Sequence, residues 1–435
     1  MSVVQQNARS FTPQARGEDL QGILEFARQA RVETGFGYLN SDGSVDTNRP
    51  VELWITCRMT HVFALAHLRG FEGAEELAAH GVQSLRNAFK DHDYGGWFSA
   101  VSHHLADLHP VDDRKASYAH AFVVLAASSA KIAGIEGAAE LLEEALANQD
   151  ERWWEDGAEK VYESFDRTFT ETEDYRGVNA NMHTTECYLA AYDATDDEKW
   201  LRRALGILQW VIDGQARSND WRIPEHFDAH WNALPDYNID KPKDPFRPYG
   251  YTPGHGLEWA RLALHAGAQL AQKEGQAPTW ILPAARALFE RAVADGWHAD
   301  GEDGFVYTTG EDGEPVARER MHWVLCEALG AATVLASALA GEGGYRMEDS
   351  ETETAAATAE ALQVELVDQC DQWWDYAQRC LIEKPGQWYH ELDEKNQVST
   401  ITWPGKPDAY HVVQCLLLPD LPVAPTFARA LKEAN

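Results

Sequence analysis

Positive charge is scarce in this chain. Its 435 residues carry 37 Lys+Arg against 70 Asp+Glu, for a formal net charge of −33 at pH 7. An acidic surface repels phosphate backbones and anionic lipid headgroups at long range. No local basic patch reverses that field, so neither nucleic acid nor a membrane surface is an expected partner. Long apolar runs are short too: stretches such as AFVVLAA from Ala121 fall well below the roughly 18 residues of a membrane span. The first residues, MSVVQQNARSFTPQAR, lack the apolar core of about 7–15 residues that a secretory signal requires. These absences predict a soluble, cytoplasmic protein. Cysteine is sparse, and Cys57, Cys187, Cys326, Cys370, Cys380 and Cys415 form no C-x-x-C pair. They are expected to be reduced, mostly buried thiols and not a disulfide framework or a zinc site. The phosphate-loop, dinucleotide, metalloprotease and nucleophile-elbow signatures are all missing, so no nucleotide, metal or other cofactor is expected.

Apolar residues are plentiful, at 44% of the chain, and their arrangement is regular. Six aromatic-rich segments with Gly or Asp nearby have the composition of short strands or hairpins. They begin at Gly35, Gly95, Glu163, Arg222, Gly304 and Gly386, so their starts lie 60, 68, 59, 82 and 82 residues apart. That spacing fits a large repeated unit with insertions. Apolar residues at helical spacing fill the intervals and predict helices over 17–31, 50–70, 73–92, 115–134, 136–152, 179–194, 197–215, 255–273, 277–297, 321–341, 355–383 and 408–418. Asp197, Gly134 and Pro253-Gly254 supply start and stop signals. Twelve helices in six antiparallel pairs, with short β-hairpins in the connecting loops, describe an all-α (α/α)6 barrel spanning 1–435 as a single catalytic domain. An open superhelix of helix pairs is the alternative. The polar stretch over about 342–360, with Glu348, Asp349 and Glu351, has the composition of an acidic insertion.

Polar residues interrupt these apolar helices in a recurring way. In LWITCRMTHVFALAH, Trp54, Arg58 and His61 share one helix face. Their polar groups could simply reach solvent, but the flanking residues Leu53, Ile55, Val62 and Phe63 require a buried partner or a ligand for Arg58. In DYRGVNANMHTTECYLAAYD, Asn179, Asn181, His183 and Glu186 cluster, and either Asn could also cap the helix. In FRPYGYTPGHGLEWARLALH, His255 opens a helix with Glu258 one turn later. WPGKPDAYHVVQC repeats that grammar with Asp408 and His411. A histidine with a carboxylate three residues on suits proton transfer better than the opposed carboxylates of a glycosidase. Trp323, Trp388, Tyr389 and Tyr118 could pack on the C–H faces of a sugar or serve the core. His103, His104 and His109 sit in a loop with Asp107 and Asp112 and are expected to be solvated.

LWITCRMTHV, YRGVNANMHTTE, TPGHGLEW, RERMHW and GKPDAYH, in this order over roughly residues 20–425, resemble the N-acylglucosamine 2-epimerase superfamily, within its bacterial aldose–ketose isomerase branch. The resemblance implies an (α/α)6 barrel and a cofactor-independent reaction on a monosaccharide. The implied chemistry interconverts D-mannose and D-fructose through a cis-enediol. It also implies that His255 and His411 are the acid/base pair. Arg58, His183 and Glu258 would hold sugar oxygens, with Trp54, Tyr118, Asn181 and Trp323 as wall contacts and Asp408 and His390 among the substrate-binding positions. In sulfoquinovose-processing members an Arg stands two residues before the F-R-x-Y-G arginine and a Gln precedes E-L-D. This chain has Pro245 and His390 there, which favours an unmodified hexose. The resemblance leaves open a 2-epimerase of the mannose/glucose or cellobiose type, a sulfoquinovose isomerase and, more distantly, an (α/α)6 glycoside hydrolase. A non-catalytic sugar-binding barrel is the remaining reading.

Overall fold

The computed structural model describes residues 2–346 and 353–434, and side chains except those of 353–356. Fourteen α-helices run through the described residues: α1 Val3–Asn7, α2 Pro13–Ala27, α3 Leu53–Leu68, α4 Ala74–Asn87, α5 Ser117–Ala133, α6 Ala138–Asn148, α7 Val178–Thr195, α8 Glu198–Leu208, α9 Pro253–Glu274, α10 Ile281–Gly296, α11 His322–Leu339, α12 Glu353–Tyr376, α13 Tyr410–Leu417 and α14 Phe427–Glu433. The three boundary signals work as expected. Asp197 accepts from the Lys199 N–H at the start of α8, Gly134 ends α5 in the left-handed conformation, and Pro253 opens α9.

Two kinds of helix alternate. Helices α3, α5, α7, α9, α11 and α13 are buried on nearly every face, as helices inside a two-layer wall must be. Their partners are one-sided. In α8 only Trp200, Leu201, Ala204, Ile207 and Leu208 are buried, one stripe at helical spacing. The inner helices pack in a ring, α3 on α5, α5 on α7, α7 on α9, α9 on α11, α11 on α13 and α13 back on α3. That contact closes the barrel and excludes the open superhelix. Each inner helix is backed by the helix that follows it, except α13, which is backed by α2 from the other end of the chain.

The six hairpin segments form a second ring at the N-terminal ends of the inner helices. Val51–Glu52 pairs with Ala100–Val101, Lys115–Ala116 with Ser164–Phe165, Tyr175–Gly177 with His226–Asp228, and Arg320–Met321 with Glu391–Leu392. A single bridge joins Tyr251 to Thr309, and the Lys406 N–H donates to the Leu39 carbonyl. Each extended residue just before an inner helix is therefore stitched to the hairpin of the next unit. At one crossing the backbones nearly touch: a Cβ on Gly386, whose φ is +79°, would lie 2.0 Å from the Gly22 carbonyl carbon. Only glycine accepts both the positive φ and that approach.

Some expectations change. Helices α1 and α14 were not anticipated, because five and seven residues are too few to display a period. α14 caps the far end of the barrel against α3, α5 and α7. Part of the expected acidic insertion is helix α12 from Glu353 onward, where Ala355, Ala356 and Ala357 are strong helix formers. Residues 347–352, with Glu348, Asp349 and Glu351, lie outside the described residues. Helix α11 is long and apolar enough to cross a membrane, and 94% of it is buried inside the fold, so packing accounts for its hydropathy. All six cysteines are free, and five of them are buried.

Candidate active site

The first turns of the six inner helices converge on one cavity of about 670 Å³, counting its open mouth, a size typical of small-molecule sites. α3 brings Trp54 and Arg58, α5 Tyr118, α7 Asn179 and His183, and α9 His255 and Glu258. α11 brings His322 and Trp323, while Asp408 and His411 lie at the start of α13. Hairpin and loop residues complete the wall, including Pro245, Phe246, Tyr307, His390 and Trp403. Six helix N-termini aimed at one space give it a positive bias, which suits an oxyanion that forms there.

Two histidines are held alike. The Nδ1 of His255 lies 2.9 Å from Glu225 Oε2, and the Nδ1 of His411 lies 2.8 Å from Glu327 Oε1. Each contact orients its ring, and in each ring Nε2 remains the nitrogen available to a ligand. Trp323 packs against both rings, at 5.3 Å from His255 and 5.7 Å from His411. Burial, aided by the Arg58 charge, pushes the pKa of His411 well below the usual histidine value, so this ring is neutral at pH 7.

Arg58 is the one arginine among the described lining residues. Its Nη1 lies 3.3 Å from Asp408 Oδ2, its Nη2 donates to the Tyr118 hydroxyl at 3.0 Å, and its Nε has no partner. Burial works against its charge, but the Tyr118 hydroxyl and the Asp408 carboxylate outweigh that and hold the guanidinium charged. Burial likewise would raise the Asp408 pKa, but the Arg58 charge and the hydrogen bond from the Tyr410 N–H outweigh it, keeping the carboxylate ionised. Arg58 sits 5.1 Å from the Trp54 ring and 4.5 Å from both Phe122 and Tyr410. These rings exclude water from its faces and leave the cavity as its open side.

Deeper in the barrel, His183 Nδ1 lies 3.5 Å from Glu186 Oε2 and 3.8 Å from Glu258 Oε1. Burial lowers the His183 pKa to about 4. Glu186 accepts from the Tyr410 hydroxyl and from the Gln414 amide, while both oxygens of Glu258 are buried with no hydrogen-bond partner. Burial, with the nearby Glu327 charge, holds the Glu258 carboxyl well above the usual range. His183, Glu186 and Glu258 bring ligand-type atoms within 4.8 Å of one another, a spacing that a cation could bridge. The Arg261 guanidinium, 3.7 Å from Glu258 Oε1, already supplies positive charge there.

The site is thus a desolvated cavity with two oriented histidines, one fixed cation and a carboxyl whose burial favours its protonated form. The sequence model of the N-acylglucosamine 2-epimerase (GlcNAc 2-epimerase) family matches residues 35–363 and 350–415. The chain belongs to this family. It is 44% identical over 412 residues to a D-mannose isomerase of Thermobifida fusca, covering 94% of each chain. It is 42% identical over 414 residues to a D-mannose isomerase of Pseudomonas cannabina pv. alisalensis, covering 94% of this chain and 92% of the relative. A solved crystal structure of D-mannose isomerase superposes with a TM-score of 0.79 at 27% identity, covering 93% of this chain and 96% of that one.

For this family member, most of the expected positions meet: Trp54, Arg58, Tyr118, His183, His255, Glu258, Trp323, His390, Asp408 and His411 all line the cavity. Asn181 does not. Its Oδ1 accepts from the Val161 N–H at 3.1 Å and its amide donates to the Gly177 carbonyl at 3.0 Å, so it ties α7 to a neighbouring hairpin. Trp388 is core, with its indole N–H on Asp19, and Tyr389 stacks on Lys406 outside the cavity. His61 points away from the mouth and bonds Ser129.

The expected pairing of each histidine with the carboxylate three residues away holds only for His183 and Glu186. His255 and His411 instead take Glu225 and Glu327 from other elements, while Asp408, which precedes α13, is taken by Arg58 and Glu258 has no hydrogen-bond partner. The sequence reading also passed over His322, whose ring stacks on His390 at 3.8 Å. It missed both orienting carboxylates as well. Glu327 interrupts an apolar helix as Arg58 does, so the same rule could have found it, whereas Glu225 sits in a hairpin with no local signal.

Proposed function

We propose that the chain is a cofactor-independent aldose–ketose isomerase that interconverts D-mannose and D-fructose within a single barrel domain. The observation that carries this reading is the pair of histidines in one cavity, each with Nδ1 on a carboxylate and Nε2 free. Between them, His255 and His411 open the pyranose ring and move the C2 proton to C1 on one face of a cis-enediol. The C2–H of an open-chain aldose is weakly acidic, so a placed base must act together with stabilisation of the oxygen that gains charge. Arg58, with one face open to the cavity, and His183 supply that stabilisation. Trp54, Tyr118 and Trp323 pack on the sugar's C–H faces.

The cavity chemistry favours an uncharged hexose. Pro245 and His390, at the two positions that differ from the sulfonate-processing pattern, both line the cavity. Arg58 is already neutralised by Asp408, and Arg247 is taken up by Glu173 and Glu163 at 2.8 and 3.3 Å. No uncommitted cation among the described lining residues faces a sulfonate. A glycosidase reading fares no better, since Asp408 is held by Arg58 and is not free to act as nucleophile or base opposite Glu258.

A panel of mannose, fructose, glucose, lyxose, cellobiose and sulfoquinovose tests the assignment. Fructose from mannose, and the reverse, are expected as the dominant conversions, with sulfoquinovose unchanged. Sulfoquinovose turnover faster than that of mannose would overturn it.

A further inference from the structure

Moving a proton from C2 to C1 is half of an isomerisation. The other half moves a hydroxyl proton: O1 begins as a carbonyl oxygen and ends as a hydroxyl, while O2 does the reverse. The histidine that handles carbon cannot hold both protons at once. A second group is required, able to give a proton to one oxygen and take one from its neighbour.

We infer that Glu258 is that group, carrying the hydroxyl proton between O1 and O2 of the enediol. This rests on the isomerase reading above. Glu258 lines the cavity one turn below His255, is 1% exposed, and has both carboxyl oxygens without a hydrogen-bond partner. The other cavity carboxylate is committed, with Asp408 on Arg58, and the carboxylates behind the wall are held too: Glu225 on His255, Glu327 on His411 and Arg261, and Glu186 on Tyr410 and Gln414. A buried carboxyl with no partner costs stability, and a ligand with two adjacent oxygens relieves that cost. Its raised pKa means that it starts as the acid.

The balance closes. As a histidine Nε2 takes H–C2, the C1=C2 bond forms and Glu258 gives its proton to O1, leaving a neutral enediol, an imidazolium and a carboxylate. The Glu258 carboxylate then takes the proton from O2 as C2=O2 forms. C1 takes the proton from the imidazolium, which restores both groups. In a cis-enediol O1 and O2 lie on the same side, within the span of one carboxyl group. His183 and Arg261, beside Oε1 at 3.8 and 3.7 Å, stabilise the transient carboxylate.

The test separates carbon chemistry from oxygen chemistry. In deuterated water, NMR follows two rates on mannose: fructose formation and deuterium entry at C2 of the recovered aldose. Glu258→Gln keeps the shape and a hydrogen bond to O1 but cannot relay a proton. Its isomerisation is expected to fall at least about hundredfold while C2 exchange falls much less, so exchange per fructose formed rises about tenfold or more. Glu258→Asp, still an acid, is expected to keep that ratio near the unmodified value. Equal losses of both rates in Glu258→Gln, or a raised ratio in Glu258→Asp, would overturn the shuttle while leaving the isomerase intact. If the unmodified protein makes no ketose, the isomerase reading itself fails.

Discussion

Alanine at His411 or His255 is expected to lower kcat on mannose by about 10³–10⁴-fold, in the range that a placed acid/base group supplies. The loss falls on turnover because each ring offers the substrate one nitrogen, Nε2, whose proton chemistry nothing else in the cavity duplicates. The fold should tolerate both changes. Glu327, freed of His411, still accepts from Arg261 Nε at 2.9 Å. Glu225 already carries one unpartnered oxygen beside His255. Circular dichroism and the thermal midpoint should therefore stay close to those of the unmodified protein while activity disappears. Near-full activity in the double variant would remove the histidine pair from the mechanism.

Arg58→Met is expected to produce the second-largest effect, and on two axes. Loss of the cation facing the oxygen on which charge develops should cost about 10²–10³-fold in kcat, the scale of removing a placed donor from a developing oxyanion. The same change leaves Asp408 buried and uncompensated, at about 3–5 kcal/mol of stability. The two effects separate in Arg58→Met/Asp408→Asn, which removes both charges. Stability should recover there and rate should not. Recovery of rate along with stability would mean that Arg58 acts only as a structural partner of Asp408. Lysine is not a conservative change at this position, because a single ammonium cannot meet both Asp408 and the Tyr118 hydroxyl as the guanidinium fork does.

Much of this site could be read from the sequence because the inner helices are apolar on every face. A polar residue in such a helix needs a buried partner or a ligand, so Arg58, His183, Glu258 and His411 stood out from their neighbours alone. The hairpin segments likewise gave the count of units. What escaped was non-local. The packing of α13 on α3, which closes the ring, and of α2 behind α13 joins opposite ends of the chain and leaves no trace in the segments themselves. The carboxylates that orient His255 and His411 come from 30 residues before and 84 residues before, at distances where no helical period applies. Asn181 was misjudged for the opposite reason. Its place between Asn179 and His183 is local and clear, yet the two residues of helix separating it from each turn it through about 200°, away from the axis and into a hairpin backbone. His322 was overshadowed by Trp323, although their positions in the first turn of α11 are adjacent.

The acidity that marks the composition does not extend into the cavity. Asp408 is matched by Arg58, Glu258 is held neutral, and burial lowers the His183 and His322 pKa values to about 4. An uncharged sugar thus meets a nearly neutral wall, with the Arg58–Asp408 pair placed where negative charge develops.

The most direct test of the account follows D-mannose in deuterated water by NMR. One proton moving along one face of a cis-enediol predicts that fructose accumulates, with any solvent deuterium at C1 placed in a single stereochemical position. Accumulation of glucose, the C2 epimer, without fructose would contradict it and make the two histidines opposite-face bases of a 2-epimerase.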